Sequence, residues 1–218
     1  MKIGVLAVQG AFIEHKKMIE GLGEECIEIR QANDLTGIDG IILPGGESTV
    51  QGKLLRKLNI FEPLKAMINH GLPVLATCAG LILLAKEIEN DTTSHLGTLP
   101  VTVKRNAYGR QLGSFESYSN VGTIKDFPFI FIRAPYITSL SDDVKILSTV
   151  DNNIVGVSYK NQIGLSFHPE LSSDNRIHKL FIDKIYSYKS AVSQLKISKQ
   201  SANNQLTVSI QQHLAKIN

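Results

Sequence analysis

The sequence predicts an α/β fold: an open, mostly parallel sheet with helices on both faces and a short antiparallel extension. Two observations carry this. Over residues 1–85, short apolar runs that read as buried strands alternate with stretches of helical periodicity, in the order strand, helix, strand, strand, helix, strand, helix. Over residues 96–150, short β-like pieces separated by small turns take over, which is the pattern of an antiparallel edge or flap. A chain of 218 residues, 43% of them apolar and 20% charged, is long enough for one such domain with a full core.

The elements follow in order. Residues 3–8, Ile-Gly-Val-Leu-Ala-Val, form a first buried strand that runs into Gln9-Gly10. Phe12, Met18, Ile19 and Leu22 mark the apolar positions of a helix. Residues 26–29 read as a second strand, and residues 40–43 as a third, stopped by Pro44-Gly45-Gly46. Ser48 and Thr49 are candidate caps for a helix carrying Leu54, Leu55 and Leu58, and a further helical piece spans residues 61–68. The apolar run at 73–76 ends at Cys78, and Ala79-Gly80 open another apolar, helix-like stretch. Residues 99–103, 129–132 and 144–150 are the β-like pieces of the middle. Residues 154–159 and 163–167 read as a hairpin around Lys160-Asn161. Ser172, Ser173 or Asp174 then caps a closing helix with Ile177, Leu180, Phe181 and Ile185 on one face. The expected domain is therefore 1–189. Residues 190–218 are polar, with weak helical spacing through Leu206, Ile210 and Leu214, and read as a loosely held C-terminal extension.

Charge and composition exclude several classes. A formal charge of +3, with Lys and Arg scattered rather than striped, does not favour nucleic acid. No apolar run approaches the ~18 residues of a membrane span, and the start lacks the pattern of a secretion signal. The two cysteines, Cys26 and Cys78, form no Cys-x-x-Cys pair, so neither a metal site nor a disulfide framework is expected. The expectation is a soluble cytoplasmic protein without a cofactor or metal.

Cys78 sits where a strand turns sharply into a helix. Such an elbow lifts a side chain above the sheet edge, surrounds it with backbone N–H groups, and favours thiolate over thiol. A thiolate that attacks a carbonyl needs a base and an oxyanion hole. Among the six histidines, His168 stands just past a buried-looking strand, and Pro169 extends the chain so that Glu170, two residues on, can face the same side. Glu170 can accept from one imidazole nitrogen and leave the other to meet the thiol. The N–H groups of Gly46 and Ala79 are candidates for the oxyanion hole, because glycine lets the backbone approach closely. Glu47 and Ser48 can hold a polar substrate, cap the next helix, or both. In a parallel sheet the Pro-Gly-Gly turn and Cys78 both lie at C-terminal strand ends, so they can share one crevice.

Pro44-Gly45-Gly46-Glu47-Ser48-Thr49, Thr77-Cys78-Ala79-Gly80-Leu81-Ile82 and Ser166-Phe167-His168-Pro169-Glu170-Leu171 closely resemble the class I (triad) glutamine amidotransferases. Among these, the segments look most like the glutaminase subunits of pyridoxal 5′-phosphate synthase. Val8-Gln9-Gly10-Ala11, Glu14-His15, His95-Leu96-Gly97, Arg105-Asn106, Gly109-Arg110-Gln111 and Phe131-Ile132-Arg133-Ala134-Pro135 match at corresponding places, over roughly residues 1–189.

The resemblance implies a flavodoxin-like sheet and hydrolysis of L-glutamine to glutamate and ammonia. Cys78 would be the nucleophile, His168 the general base and acid, and Glu170 the orienting carboxylate. It further implies that Gly46, Glu47, Ser48, Arg105, Ile132 and Arg133 bind glutamine. The ammonia would pass to a barrel-shaped synthase subunit that contacts the Gln9-Gly10 region and activates the glutaminase. Two departures stand out: Ala76 where such elbows usually carry glycine, and the tail beyond residue 190. The competing readings are a cysteine hydrolase acting on γ-glutamyl peptides and a non-catalytic module. The Pro-Gly-Gly-Glu-Ser-Thr, Arg105 and Ile132-Arg133 segments argue against the first, and the intact Cys78, His168 and Glu170 against the second.

Overall fold

The computed structural model describes residues 1–105 and 114–214, with side chains of the last helix described through Leu195 and at Ser198. The matches at Asn106 and Gly109-Arg110-Gln111, and the last four residues of the tail, lie outside the described residues. The first half of the chain runs β1 (Lys2–Leu6), α1 (Phe12–Gly21), β2 (Glu25–Ile29), β3 (Gly40–Leu43), α2 (Ser48–Lys57), α3 (Phe61–Asn69), β4 (Val74–Thr77) and α4 (Ala79–Leu84). Then follow β5 (Ala85–Ile88), β6 (Leu99–Lys104), β7 (Ser114–Val121), β8 (Ile124–Ile132), β9 (Tyr136–Leu140), β10 (Lys145–Val150), β11 (Asn153–Tyr159), β12 (Gln162–Leu165) and α5 (Arg176–Leu214).

The main sheet has the order β2-β1-β3-β4-β12-β11-β9-β6-β5, with β10 also paired to β11. Its first five strands are mutually parallel, which is the 2-1-3-4-5 order of a flavodoxin-like sheet. Beyond β12 the pairings to β11, β9 and β6 are antiparallel, and β5 closes the edge parallel to β6. Most of the β-like pieces of the middle thus extend the main sheet. Among the described residues, β7 and β8 alone form a separate two-stranded antiparallel unit.

Alternate residues of the parallel strands serve opposite faces. Ile41, Leu43, Val74 and Ala76 join one core with Leu55, Leu64 and Leu81 from α2, α3 and α4. Ile3, Val5, Ile42, Leu75 and Leu165 join the other, with Ile19 of α1 and Ile177, Phe181 and Ile185 of α5. Continuous apolar strands were therefore a correct signal of a sheet covered on both sides. Ala76 is fully buried in the first core, which absorbs the methyl group that sets it apart from glycine.

Several local expectations were refined. The residue capping α2 is Glu47, whose carboxylate accepts from the N–H groups of Thr49 and Val50, rather than Ser48 or Thr49. A carboxylate reaches two orphan N–H groups where a hydroxyl reaches one, and it also meets the positive helix end. Ahead of α5, Asp174 accepts from the Arg176 N–H at 3.0 Å. That helix continues without a break from Arg176 to Leu214, through the expected boundary at 189. Strands β5, β7 and β9 were not expected. They carry polar residues on an exposed face or are very short, so they lack the unbroken apolar run that marks a two-faced strand.

Candidate active site

Four parallel strands deliver the site. Gln9-Gly10 follows β1, Gly45-Gly46 follows β3, Cys78 follows β4 and His168 follows β12, all at the C-terminal edge. Because β1 lies between β2 and β3, the chain diverges there and leaves a crevice outside the strand ends. Cys78 is held at φ 47° and ψ −102°, a left-handed conformation that a residue with a Cβ adopts only under tertiary constraint. Its N–H donates to Leu165 O of β12 at 2.8 Å, and Gly80 behind it packs so closely that a Cβ there would meet Leu43 O at 2.0 Å. The elbow is pinned to both neighbouring strands.

The imidazole of His168 meets the Glu170 carboxylate, with Nδ1 2.7 Å from Oε1, and both residues are buried. The His168 backbone N–H donates to Ile130 O at 2.9 Å, which fixes the residue against β8. Burial on its own disfavours the imidazolium. The neighbouring Cys78 and Glu170 side chains more than offset it and raise His168 from 6.5 to about 10. Burial likewise works against ionised Glu170, but the imidazoles of His15 and His168 hold its carboxyl below the usual range. The result is a histidine biased to carry a proton between a thiol and a carboxylate. The other cysteine is a poor competitor: burial pushes the Cys26 thiol up to about 12.

These groups open onto a cavity of about 450 Å³ lined by Gln9, Gly10, Gly46, Glu47, Ser48, Cys78, Arg105, Ile132, Arg133 and His168, among others. Every expected substrate residue thus borders one space with Cys78. Ile132 O lies 4.0 Å from Cys78 Sγ. Arg105 is already engaged, its guanidinium 2.6 Å from Asp91 Oδ2. The Glu47 carboxylate is likewise occupied at the start of α2. Ala79 opens α4, where a backbone N–H has no intrahelical acceptor.

The loop that carries Gly46 is clamped by the segment after β1. Gly45 O accepts from Ala11 N–H at 3.1 Å, and the Gln9 side chain accepts from Glu47 N–H at 2.8 Å. Gly10 has φ +101° and lies so near that a Cβ would meet Gly45 O at 1.9 Å, so only glycine serves there. Gln51, fully buried on α2, donates to Gln9 O at 2.9 Å and Pro44 O at 3.3 Å.

Sequence reasoning missed the groups behind the triad. His15, His178 and Thr77 are all fully buried and meet directly under Glu170. His15 Nε2 is 3.3 Å from Glu170 Oε2 and 3.1 Å from Thr77 Oγ1, and His15 Nδ1 is 2.9 Å from His178 Nε2. Thr77 Oγ1 also accepts from Gly45 N–H at 3.1 Å. A signal existed: His15 is four residues before Ile19, and His178 three before Phe181, each on the apolar face of its helix. Among the described residues no cluster of His, Cys, Asp and Glu is arranged to hold a metal, and no helix is long and apolar enough to cross a membrane.

Comparison with known proteins adds a consistent picture. The model of the SNO glutamine amidotransferase family matches residues 5–187. The pyridoxal 5′-phosphate synthase subunit PdxT of Desulfitobacterium hafniense (strain DSM 10664 / DCB-2) is 62% identical over 191 residues, covering 87% of this chain and 96% of the relative. The subunit of the same name from Streptococcus pneumoniae (strain CGSP14) is 52% identical over 187 residues, covering 84% and 96%. A solved glutamine amidotransferase superposes with a TM-score of 0.81 at 41% identity, over 84% of this chain and 98% of that one.

Proposed function

This chain belongs to the SNO glutamine amidotransferase family, and from that premise we propose that it hydrolyses L-glutamine to L-glutamate and ammonia for the assembly of pyridoxal 5′-phosphate. The observation that carries the chemistry is the Cys78–His168–Glu170 constellation at the edge of one cavity, with His168 Nδ1 2.7 Å from Glu170 Oε1. The Cys78 thiolate attacks the side-chain carboxamide carbon of glutamine, and the N–H groups of Gly46 and Ala79 receive the charge that develops on the oxygen. His168 gives its proton to the departing nitrogen, releasing ammonia and leaving a γ-glutamyl thioester on Cys78. A water then attacks the thioester, His168 takes up its proton, and glutamate leaves with the thiolate restored. Glu170 keeps the imidazole in the tautomer and orientation both steps need. Gly46, Glu47, Ser48, Arg105, Ile132 and Arg133 hold the substrate, with a guanidinium for its carboxylate.

The ammonia passes to a barrel-type synthase subunit that docks at Gln9 and Gly10. The clamp described above supports a link between docking and activity. Rotating the Gly45–Gly46 peptide to aim the Gly46 N–H at an oxyanion would break the bond from Ala11 N–H to Gly45 O. A partner that moves residues 9–11 can therefore gate the oxyanion hole.

The experiment is glutamate release from L-glutamine by the wild type and Cys78→Ala, each with and without the synthase subunit. Low activity that rises with the partner and disappears in Cys78→Ala is the expected result. Turnover that survives Cys78→Ala overturns the triad. Equal turnover with and without the partner overturns the gating.

A further inference from the structure

We propose that His15, backed by His178, is a positioning residue for the triad: it donates to the second oxygen of Glu170 and ties that carboxylate, through Thr77, to the loop bearing Gly46. The proposal rests on the glutaminase reading above and deepens it.

Proton placement follows from the partners. Glu170 Oε1 is taken by His168, whereas Oε2 is buried and, among the described residues, makes no hydrogen bond in the geometry as it stands; the nearest donor-capable nitrogen is His15 Nε2, 3.3 Å away. Among the described residues His178 Nδ1 is buried and without a partner, whereas its Nε2 lies 2.9 Å from His15 Nδ1. Suppose His15 carried its proton on Nδ1. It would donate to His178 Nε2 and force the His178 proton onto the partnerless Nδ1, leaving a buried N–H without an acceptor. It would also turn the lone pair of His15 Nε2 toward a carboxylate oxygen. Both arrangements are costly.

In the opposite arrangement, His178 Nε2–H donates to His15 Nδ1, and His15 Nε2–H is shared between Thr77 Oγ1 at 3.1 Å and Glu170 Oε2 at 3.3 Å. The atom left unsatisfied is then a neutral acceptor, the cheaper loss. Both histidines are biased toward the neutral form: burial lowers His178, and a proton on His15 would lower it further. Burial also lowers His15, against the pull of Glu170 and Glu14 and with the help of His168.

The chain of contacts therefore runs from His178 on α5, through His15 on α1, to Glu170 and His168. A branch runs through Thr77 to Gly45 N–H. A carboxylate held at both oxygens cannot swing away from His168, and the same imidazole, through Thr77, fixes the Pro44–Gly45 peptide that leads into the Gly45–Gly46 peptide. Because α1 begins directly after Gln9-Gly10-Ala11, a shift of that segment reaches both halves of the catalytic machinery together.

The test begins with the 15N-histidine spectrum of the wild-type chain, which reports the tautomer of each imidazole, and with the downfield resonance of the His168 Nδ1–H. His15 and His178 both protonated at Nε2 is the expected result, and His15 protonated at Nδ1 overturns the proposal. Next, glutamine turnover and the same resonance are measured for His15→Leu, His15→Gln and His178→Leu. His15→Leu is expected to lower kcat by about 10- to 100-fold with KM nearly unchanged and to shift the His168 resonance. His15→Gln, which keeps an N–H donor near the Nε2 position, recovers much of both. A folded His15→Leu protein with wild-type kcat and an unmoved resonance overturns the proposal. If that variant does not fold, His15→Gln and the wild-type spectrum decide. A wild type that shows the expected tautomers and resonance yet hydrolyses no glutamine, even with the synthase subunit, sinks the substrate reading while leaving the positioning role intact.

Discussion

His168 carries the proton balance of the site, and its surroundings make that balance measurable. Its imidazole is raised from 6.5 to about 10 in the folded protein, where Cys78 and Glu170 outweigh burial. A group whose folded pKa is raised contributes stability that is complete below the unfolded value and is lost as pH climbs through the folded value. The melting-temperature advantage of the wild type over His168→Ala should thus be widest near pH 6.5 and shrink toward pH 10. A gap that stays constant or widens across that window would show that the proton is not held by His168. Glu170 works with the opposite sign: its lowered pKa gives stability that is present above 4.5 and is lost on acidification through its folded value. Cys78, His168 and Glu170 were legible in the sequence because a tight elbow and a His-Pro-Glu step are local features. His15 and His178 were not, since their contact joins positions 163 apart in the chain.

At the scale of elements, the hairpin of β7 and β8 borders the candidate cavity through Ile132, and an aromatic lock holds it down. Phe129 of β8 stacks on Phe167 with ring centroids 4.0 Å apart and planes 8° from parallel, while Phe131 and Phe127 pack near the same ring at 6.0 and 6.1 Å. Each such pair adds about 0.5–1.5 kcal/mol beyond area burial. Phe167 directly precedes His168, so the lock joins that histidine to the strand that ends at Ile132. Phe129→Ala should destabilise the protein by about 3–5 kcal/mol. It should also raise KM for glutamine more than it lowers kcat, because Ile132 and Arg133 lose their support. Denaturant unfolding and steady-state kinetics on one preparation check both parts. A variant with weakened stability but unchanged KM would detach the hairpin from substrate binding.

Across the whole molecule, two apolar cores on opposite faces of the sheet fix the strand ends, and, among the described residues, the side chains that tie the long α5 helix to the body lie in its first part. Tyr186 OH donates to Glu24 Oε1, Tyr188 OH to His70 O, and Lys189 Nζ meets Asp39 Oδ1 at 2.6 Å. Among the described residues, Lys189 makes the last side-chain bond from α5 to another element, and the residues that follow are largely exposed. Removing residues 190–218 should leave the melting temperature within a few degrees of the full chain and leave basal glutamine turnover unchanged. A large drop in either would make the tail an integral part of the domain.

The sequence by itself determined the fold class and the flavodoxin-like half and singled out Cys78, His168 and Glu170 as candidates, since apolar periodicity, Gly-Pro punctuation and short motifs are properties of neighbouring residues. It also resembled the glutamine amidotransferases closely enough to name the family that the comparisons bear out. Only the tertiary structure decided which strands extend the sheet beyond β12, because polar edge strands lack a two-faced apolar signature. It alone decided that Glu47 caps α2, and that Gln9 and Ala11 clamp the glycine loop. It alone brought His15 and His178 beneath Glu170, because a buried polar group finds its hydrogen-bond partner across space, wherever packing of the two cores brings one within reach.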